Sequence, residues 1–137
     1  MNTVRILPMN HETEDFVGKT IDEIQKEFFC KTLIEEKGWY SYKTNGLRAV
    51  DGDLVLFQMD SQIIASALFR DCLPMFDDGW NGSLLFHCHS IKIFKPINDK
   101  EILNYIPDFK RFGDYKTLFE LDDEHYYNLL GRINEGL

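Results

Sequence analysis

Two short stretches of this chain carry the residues best suited to chemistry. "HCH" at 87–89 places two imidazoles two positions apart with a thiol between them. On a strand such residues share a face, so His87 and His89 could chelate one metal ion and, with it, serve a small metal-dependent hydrolase. A complete site needs further ligands, and the other histidines, His11 and His125, lie in segments that nothing in the sequence ties to the pair. The bland alternative is a polar strand face. The second stretch is "GWYSYK" at 38–43, where Trp39, Tyr40 and Tyr42 fall within four residues, with Phe76 and Trp80 following in a turn-rich segment. Rings on loops can stack on a flat ligand or sandwich a base, and the competing reading is that they close a core. Lys43, Thr44, Asn45 and Arg48 lie alongside as hydrogen-bonding or phosphate-contacting groups.

Other chemistries find no footing. There is no G-x-S-x-G elbow, and Cys88 between two histidines is poorly arranged, because neighbours on a strand point to opposite faces. No phosphate-binding glycine loop occurs, so no nucleotide cofactor is implied. Asp77-Asp78 and Asp122-Asp123 are adjacent pairs that suit a turn and a helix start better than an acid/base couple. No catalytic constellation is detected. Cys30, Cys72 and Cys88 are odd in number and form no CxxC pair, which predicts reduced, mostly buried thiols.

Positioning these residues falls to 137 residues, enough for one domain with a real core. The hydrophobic share is 44% and the charged share 28%, a globular balance. No apolar run approaches the ~20 residues of a membrane span, and the first residues do not read as a signal peptide, so a cytoplasmic, soluble protein is expected. The net charge of −8 is uneven: residues 1–38 carry −3 and 99–137 carry −4, while 39–70 are neutral. That distribution disfavours strong non-specific binding to a nucleic-acid duplex, yet leaves a neutral middle where a pocket for one base could sit.

Along the chain, "VRILPM" predicts a strand with Pro8 at an edge or end. Thr20 and Glu23 form a capping-box pattern opening a helix to about Glu36, with Ile21, Ile24, Phe28, Leu33 and Phe29 as its buried stripe and Gly38 as its stop. "DLVLFQM" and "QIIASALF" predict a hairpin turning at Asp60-Ser61. Residues 72–82 predict a loop, and the period-two alternation of "SLLFHCHSIKIF" predicts one long strand, bent or bulged near His89-Ser90. A short helix capped at Asn98 or Asp99, a last strand in "YKTLFEL" and a terminal helix in "DDEHYYNLLGRI" complete the chain. The sum is an α+β domain of five or six strands around a small barrel, with three helices.

One stretch carries a family resemblance. A strand opening Gly52-Asp53 and continuing Leu54-Val55-Leu56-Phe57, a polar turn, and a return strand Ile63-Ile64-Ala65-Ser66-Ala67 resemble the PUA-like superfamily, most nearly its EVE and ASCH-type branches. The resemblance is strongest over residues 38–97 within a single domain spanning 1–137. It implies a compact β-barrel with helices at its openings and a ligand pocket at one mouth. It further implies a non-enzymatic domain that recognises RNA or a modified base of DNA or RNA. By position, Trp39, Tyr40, Tyr42 and Lys43 fall near the pocket entrance, with Ser66 and Trp80 as neighbours. The acidic charge departs from the basic rim usual in that superfamily. The competing expectation is a protein-interaction or regulatory module that meets a protein partner through its acidic ends.

Overall fold

The computed structural model of the chain describes residues 1–12, 16–42, 49–74 and 82–137. Strand β1 (Asn2–Pro8) leads to helix α1 over residues 21–35. Strands β2 (Trp39–Tyr42), β3 (Leu54–Met59), β4 (Gln62–Pro74), β5 (Gly82–Phe86) and β6 (Lys92–Asn98) follow, and then helix α2 (Asp99–Ile102), strand β7 (Leu118–Leu121) and helix α3 (Asp123–Asn134). The protein is α+β, with a seven-stranded mixed sheet in the order β2-β5-β4-β3-β1-β7 and with β6 also paired to β4. Among the described strand pairs only β1–β3 is parallel. The end strands β2 and β7 are not paired with each other, so among the described residues the sheet stays open where a closed barrel was expected.

Local signals explain most element boundaries. Thr20 Oγ1 accepts the Glu23 N–H while Glu23 reaches back to the Thr20 N–H, the reciprocal capping box the sequence predicts. At the other end of α1, Gly38 takes φ +90° and donates its N–H to the Leu33 carbonyl. A side chain there would press a Cβ to 2.2 Å from the Phe86 carbonyl oxygen, so glycine is required both by the turn and by the close passage of β5. Asp60 and Ser61 both adopt positive φ, as the two-residue hairpin between β3 and β4 demands. Asn98 caps α2 and Asp122 caps α3 through their side-chain oxygens.

The middle of α1, Ile24–Thr32, is wound as a π-helix, its hydrogen bonds reaching one residue farther than in an α-helix. The wider turn brings Ile24, Gln25, Phe28, Phe29 and Leu33 together on the buried side. Gln25 is the surprise among them, a polar side chain at 2% exposure. Its Nε2 donates to the carbonyl oxygens of Ile64 (2.9 Å) and Phe94 (2.7 Å). Both residues are skipped by the ladders: β3–β4 shifts register between Phe57 and Gln58, and β4–β6 shifts between Ile63 and Ala65. The amide thus supplies donors that the bulged backbone lacks. Cys30, expected to be buried, is exposed on the outer side of α1.

Two cores flank the sheet. Phe28, Phe29 and Leu33 of α1 pack with Val55, Phe57, Ala65, Ala67, Phe69, Leu84 and Phe86 on one side. On the other, Leu129 and Ile133 of α3 and Ile102 of α2 pack with Val4, Ile6, Leu54, Leu56, Ile63, Phe94 and Phe119. At roughly 1.5–3 kcal/mol for each fully buried large apolar side chain, either core outweighs any single polar contact in the molecule. Strand β4 is the shared spine. Its first half pairs with β3 and β6, and its second half pairs with β5.

Candidate functional site

The single strand expected over 83–94 is two strands along one edge of β4. Between β5 and β6 the chain makes a 3₁₀ turn at Cys88–Ser90, and the period-two pattern breaks there. The gap in the ladder is closed locally: the Leu68 carbonyl accepts the His87 N–H at 3.0 Å, and the Leu68 N–H donates to Ser90 Oγ at 2.8 Å. Ser90 Oγ in turn donates to the His87 carbonyl at 2.6 Å. A serine hydroxyl can accept and donate at once, which suits it to a strand-to-strand crossing.

This turn forms one wall of a cavity of about 310 Å³ beneath the last turns of α3. Leu54, Ser66 and Leu68 of the sheet form its floor, His89, Ser90 and Lys92 one side, and Leu130, Ile133 and Asn134 the other. Leu54, Ser66 and Ile133 are buried, whereas His89, Lys92 and Asn134 stand exposed at the rim. Strand register explains the arrangement. Ser66 is directly opposite Lys92 on β6 and Leu56 on β3, so those side chains share the α3-facing side of the sheet. The Ser66 hydroxyl belongs to a residue only 1% exposed. It is a polar group at the bottom of an otherwise apolar floor.

The α3 roof is tied down by polar contacts. Lys92 Nζ donates to Asn134 Oδ1. Arg132 Nε donates to Glu101 Oε2 at 2.6 Å, and its Nη2 donates to the Lys95 carbonyl at 2.8 Å. The Lys95 N–H donates to the Gly136 carbonyl at 3.2 Å. Like Phe94, Lys95 lies in the stretch of β6 that β4 does not pair, so the C-terminal segment satisfies backbone that the sheet leaves open.

The residues singled out from the sequence scatter around this geometry. Ser66 lines the cavity. Trp39 and Tyr40 lie on β2, paired with Leu85 and Leu84 of β5, so the segment expected as a loop is a strand. Trp39 is half-buried, and the Tyr40 ring packs against Phe28 and Phe57 at centroid distances of 5.8 and 6.0 Å. Tyr42 pairs with Gly82 at the end of β2. Lys43 and Trp80 lie outside the described residues. Neither Trp39 nor Tyr40 is among the described residues that line the Ser66 cavity. His87 and His89 flank and occupy the 3₁₀ turn, with ring centroids 5.8 Å apart, and His87 Nε2 is bound to Asp51 Oδ1 at 2.8 Å. Among the described residues no group of three or more His, Cys, Asp or Glu side chains is placed to hold a metal ion.

Asp53, part of the Gly-Asp signature, has a structural task. Its Oδ2 accepts from Arg5 Nε and from the Val50 N–H, both at 3.1 Å, joining the start of β3 to β1. Lys92, Asn134, Leu130 and Ile133 were not singled out from the sequence as site residues. Lys92 does stand out as the one cation within "SIKIF", opposite Ser66, but only the β4–β6 register reveals that pairing. No helix of the described residues is long and apolar enough to cross a membrane. Comparison with protein-family models and with curated proteins finds no match to this chain.

Proposed function

We propose that this chain is a non-enzymatic binding domain of the PUA-like kind, an incompletely closed barrel that recognises a modified nucleobase or a similar nucleic-acid-derived ligand. The observation that carries the proposal is the cavity under α3. Its volume of about 310 Å³ lies at the small end of the roughly 300–1,000 Å³ typical of small-molecule sites. Its apolar walls, Leu54, Leu68, Leu130 and Ile133, suit the faces of a flat ring. The Ser66 hydroxyl, the Asn134 amide and the His89 ring offer donors and acceptors to a ring edge. The aromatic segment at Trp39–Tyr42 is a separate candidate surface on the far side of β5.

The test is a thermal-shift screen against nucleosides, modified bases and short single-stranded oligonucleotides. A ligand that binds only the native state at one hundred times its dissociation constant should raise Tm by roughly 5–10 °C. Asn134→Trp, a change at an exposed rim position, should block the cavity and abolish the shift measured against the variant's own unliganded Tm. Loss of binding in Trp39→Ala but not in Asn134→Trp would move the site to the aromatic segment. No shift anywhere in the panel would sink the reader hypothesis and favour a module that binds another protein.

A further inference from the structure

The charge around the cavity runs against that of the chain. The protein carries −8 overall, yet the described residues that line this cavity include no Asp or Glu and do include Lys92 and His89. Among the described residues neither cationic-capable group is paired with a carboxylate. Lys92 has Asn134 as its hydrogen-bond partner, which leaves two of its three ammonium hydrogens available. His89 has a ring contact with His87 and no hydrogen bond or ion pair among the described residues, whereas His87 is already engaged by Asp51. The buried Ser66 hydroxyl lies on the register opposite Lys92, so a donor at the floor and a cation at the rim face the same space.

We propose that the ligand of this cavity carries an anionic group, held at the rim by Lys92 and His89 with its neutral ring seated toward Ser66. This rests on the binding reading above and narrows it from a bare nucleoside to a nucleoside monophosphate or an analogous ring bearing a carboxylate. The Lys92–Asn134 contact joins two residues that line the cavity. A bound anion therefore exchanges that amide oxygen for a charge-assisted hydrogen bond, the stronger of the two. A chain of net charge −8 also disfavours long polyanions relative to a small one, because repulsion accumulates with every added phosphate.

Isothermal titration calorimetry distinguishes the parts of the proposal, using the full chain with nucleosides, their monophosphates, and aromatic carboxylates beside the corresponding amides. The expected result is that the charged member of each pair binds about tenfold tighter than the neutral one. Lys92→Met should remove the preference of charged over neutral probes, and Lys92→Arg should retain most of it. Added salt should weaken only the charged probes. Nucleosides binding as tightly as their monophosphates, with Lys92→Met silent, would overturn the anion proposal and leave the base-binding reading standing. Aromatic carboxylates binding through Lys92 while no nucleotide binds would support the anion site and overturn the nucleobase reading. Absence of all binding would overturn both.

Discussion

Replacing Gln25 with methionine isolates the contribution of one buried amide to this fold. The two side chains have similar length, so packing against Phe28 and the sheet is largely kept while both hydrogen bonds are removed. The carbonyls of Ile64 and Phe94 then lose the donor that reaches them at 2.9 and 2.7 Å. Each unsatisfied buried carbonyl costs about 1–3 kcal/mol, giving a loss of about 2–4 kcal/mol once some relaxation is allowed. Set against a domain stability of about 5–15 kcal/mol, that is a large fraction. With a urea slope of about 1.5–2 kcal/mol/M, the unfolding midpoint should fall by about 1–3 M, with the slope unchanged. Gln25→Glu should be worse near neutral pH, because a carboxylate meets two carbonyl oxygens, and should recover partly in acid as protonation restores one donor. A Gln25→Met variant within about 0.5 kcal/mol of wild type would show that the bulged carbonyls find other partners, and the account of the β4–β6 gap would be wrong.

Further outcomes follow from the same reasoning. Gly38→Ala should cost more than about 2 kcal/mol in chemical denaturation, from its left-handed backbone and the 2.2 Å approach of a new Cβ to the Phe86 carbonyl. Arg5→Met strands a 7%-exposed Asp53 carboxylate and should lower stability by about 2–4 kcal/mol; the double variant Arg5→Met/Asp53→Asn should regain part of it. His11 is held above the ordinary histidine range by its hydrogen bond to Asp60, with burial opposing and the Phe16 carbonyl assisting. A raised native value means the protonated pair stabilises the fold fully below the unfolded histidine value of about 6.5 and loses that contribution as pH rises through the native one. Urea midpoints of wild type and His11→Gln should therefore differ at pH 5 and converge at pH 8.5. Cys30, exposed on α1, should react with a maleimide in the native protein faster than Cys72 or Cys88, as mass spectrometry of the labelled peptides would show.

What could be read in advance was what local chemistry dictates. Thr20 and Glu23 announce a helix start because their reciprocal bonds need only three residues of chain. Asp60-Ser61 announces a hairpin because two polar residues between apolar runs leave few turn geometries. Gln25 was illegible because a polar residue in a helix is ordinarily solvent-facing, and its partners lie 39 and 69 residues away. The turn at Cys88–Ser90 was legible only as a bend or bulge near His89-Ser90 in one long strand, because the period-two pattern of the sequence continues through it. Trp39 and Tyr40 passed for loop residues because four residues of strand carry too short a pattern to declare themselves. Of the candidate site, Ser66 was reached through the family resemblance. Its companions come from the 3₁₀ turn, β6 and α3, and only tertiary register puts them around it.

The pairing of β1 sets an order of events during synthesis. Its outer edge takes β7, joining Asn2 to Leu121, while its inner edge takes β3. The unpaired stretch of β6 likewise waits for Arg132 and Gly136 to satisfy Lys95. A ribosome that has made residues 1–100 therefore holds a chain whose central hairpin can form but whose first strand has an open edge and whose α3-side core lacks its cover. Such contacts between distant residues slow folding and expose strand edges in the interim. Until residue 136 is made the nascent chain keeps that edge and that core face uncovered, and the cavity is completed only when Leu130, Ile133 and Asn134 of α3 are in place.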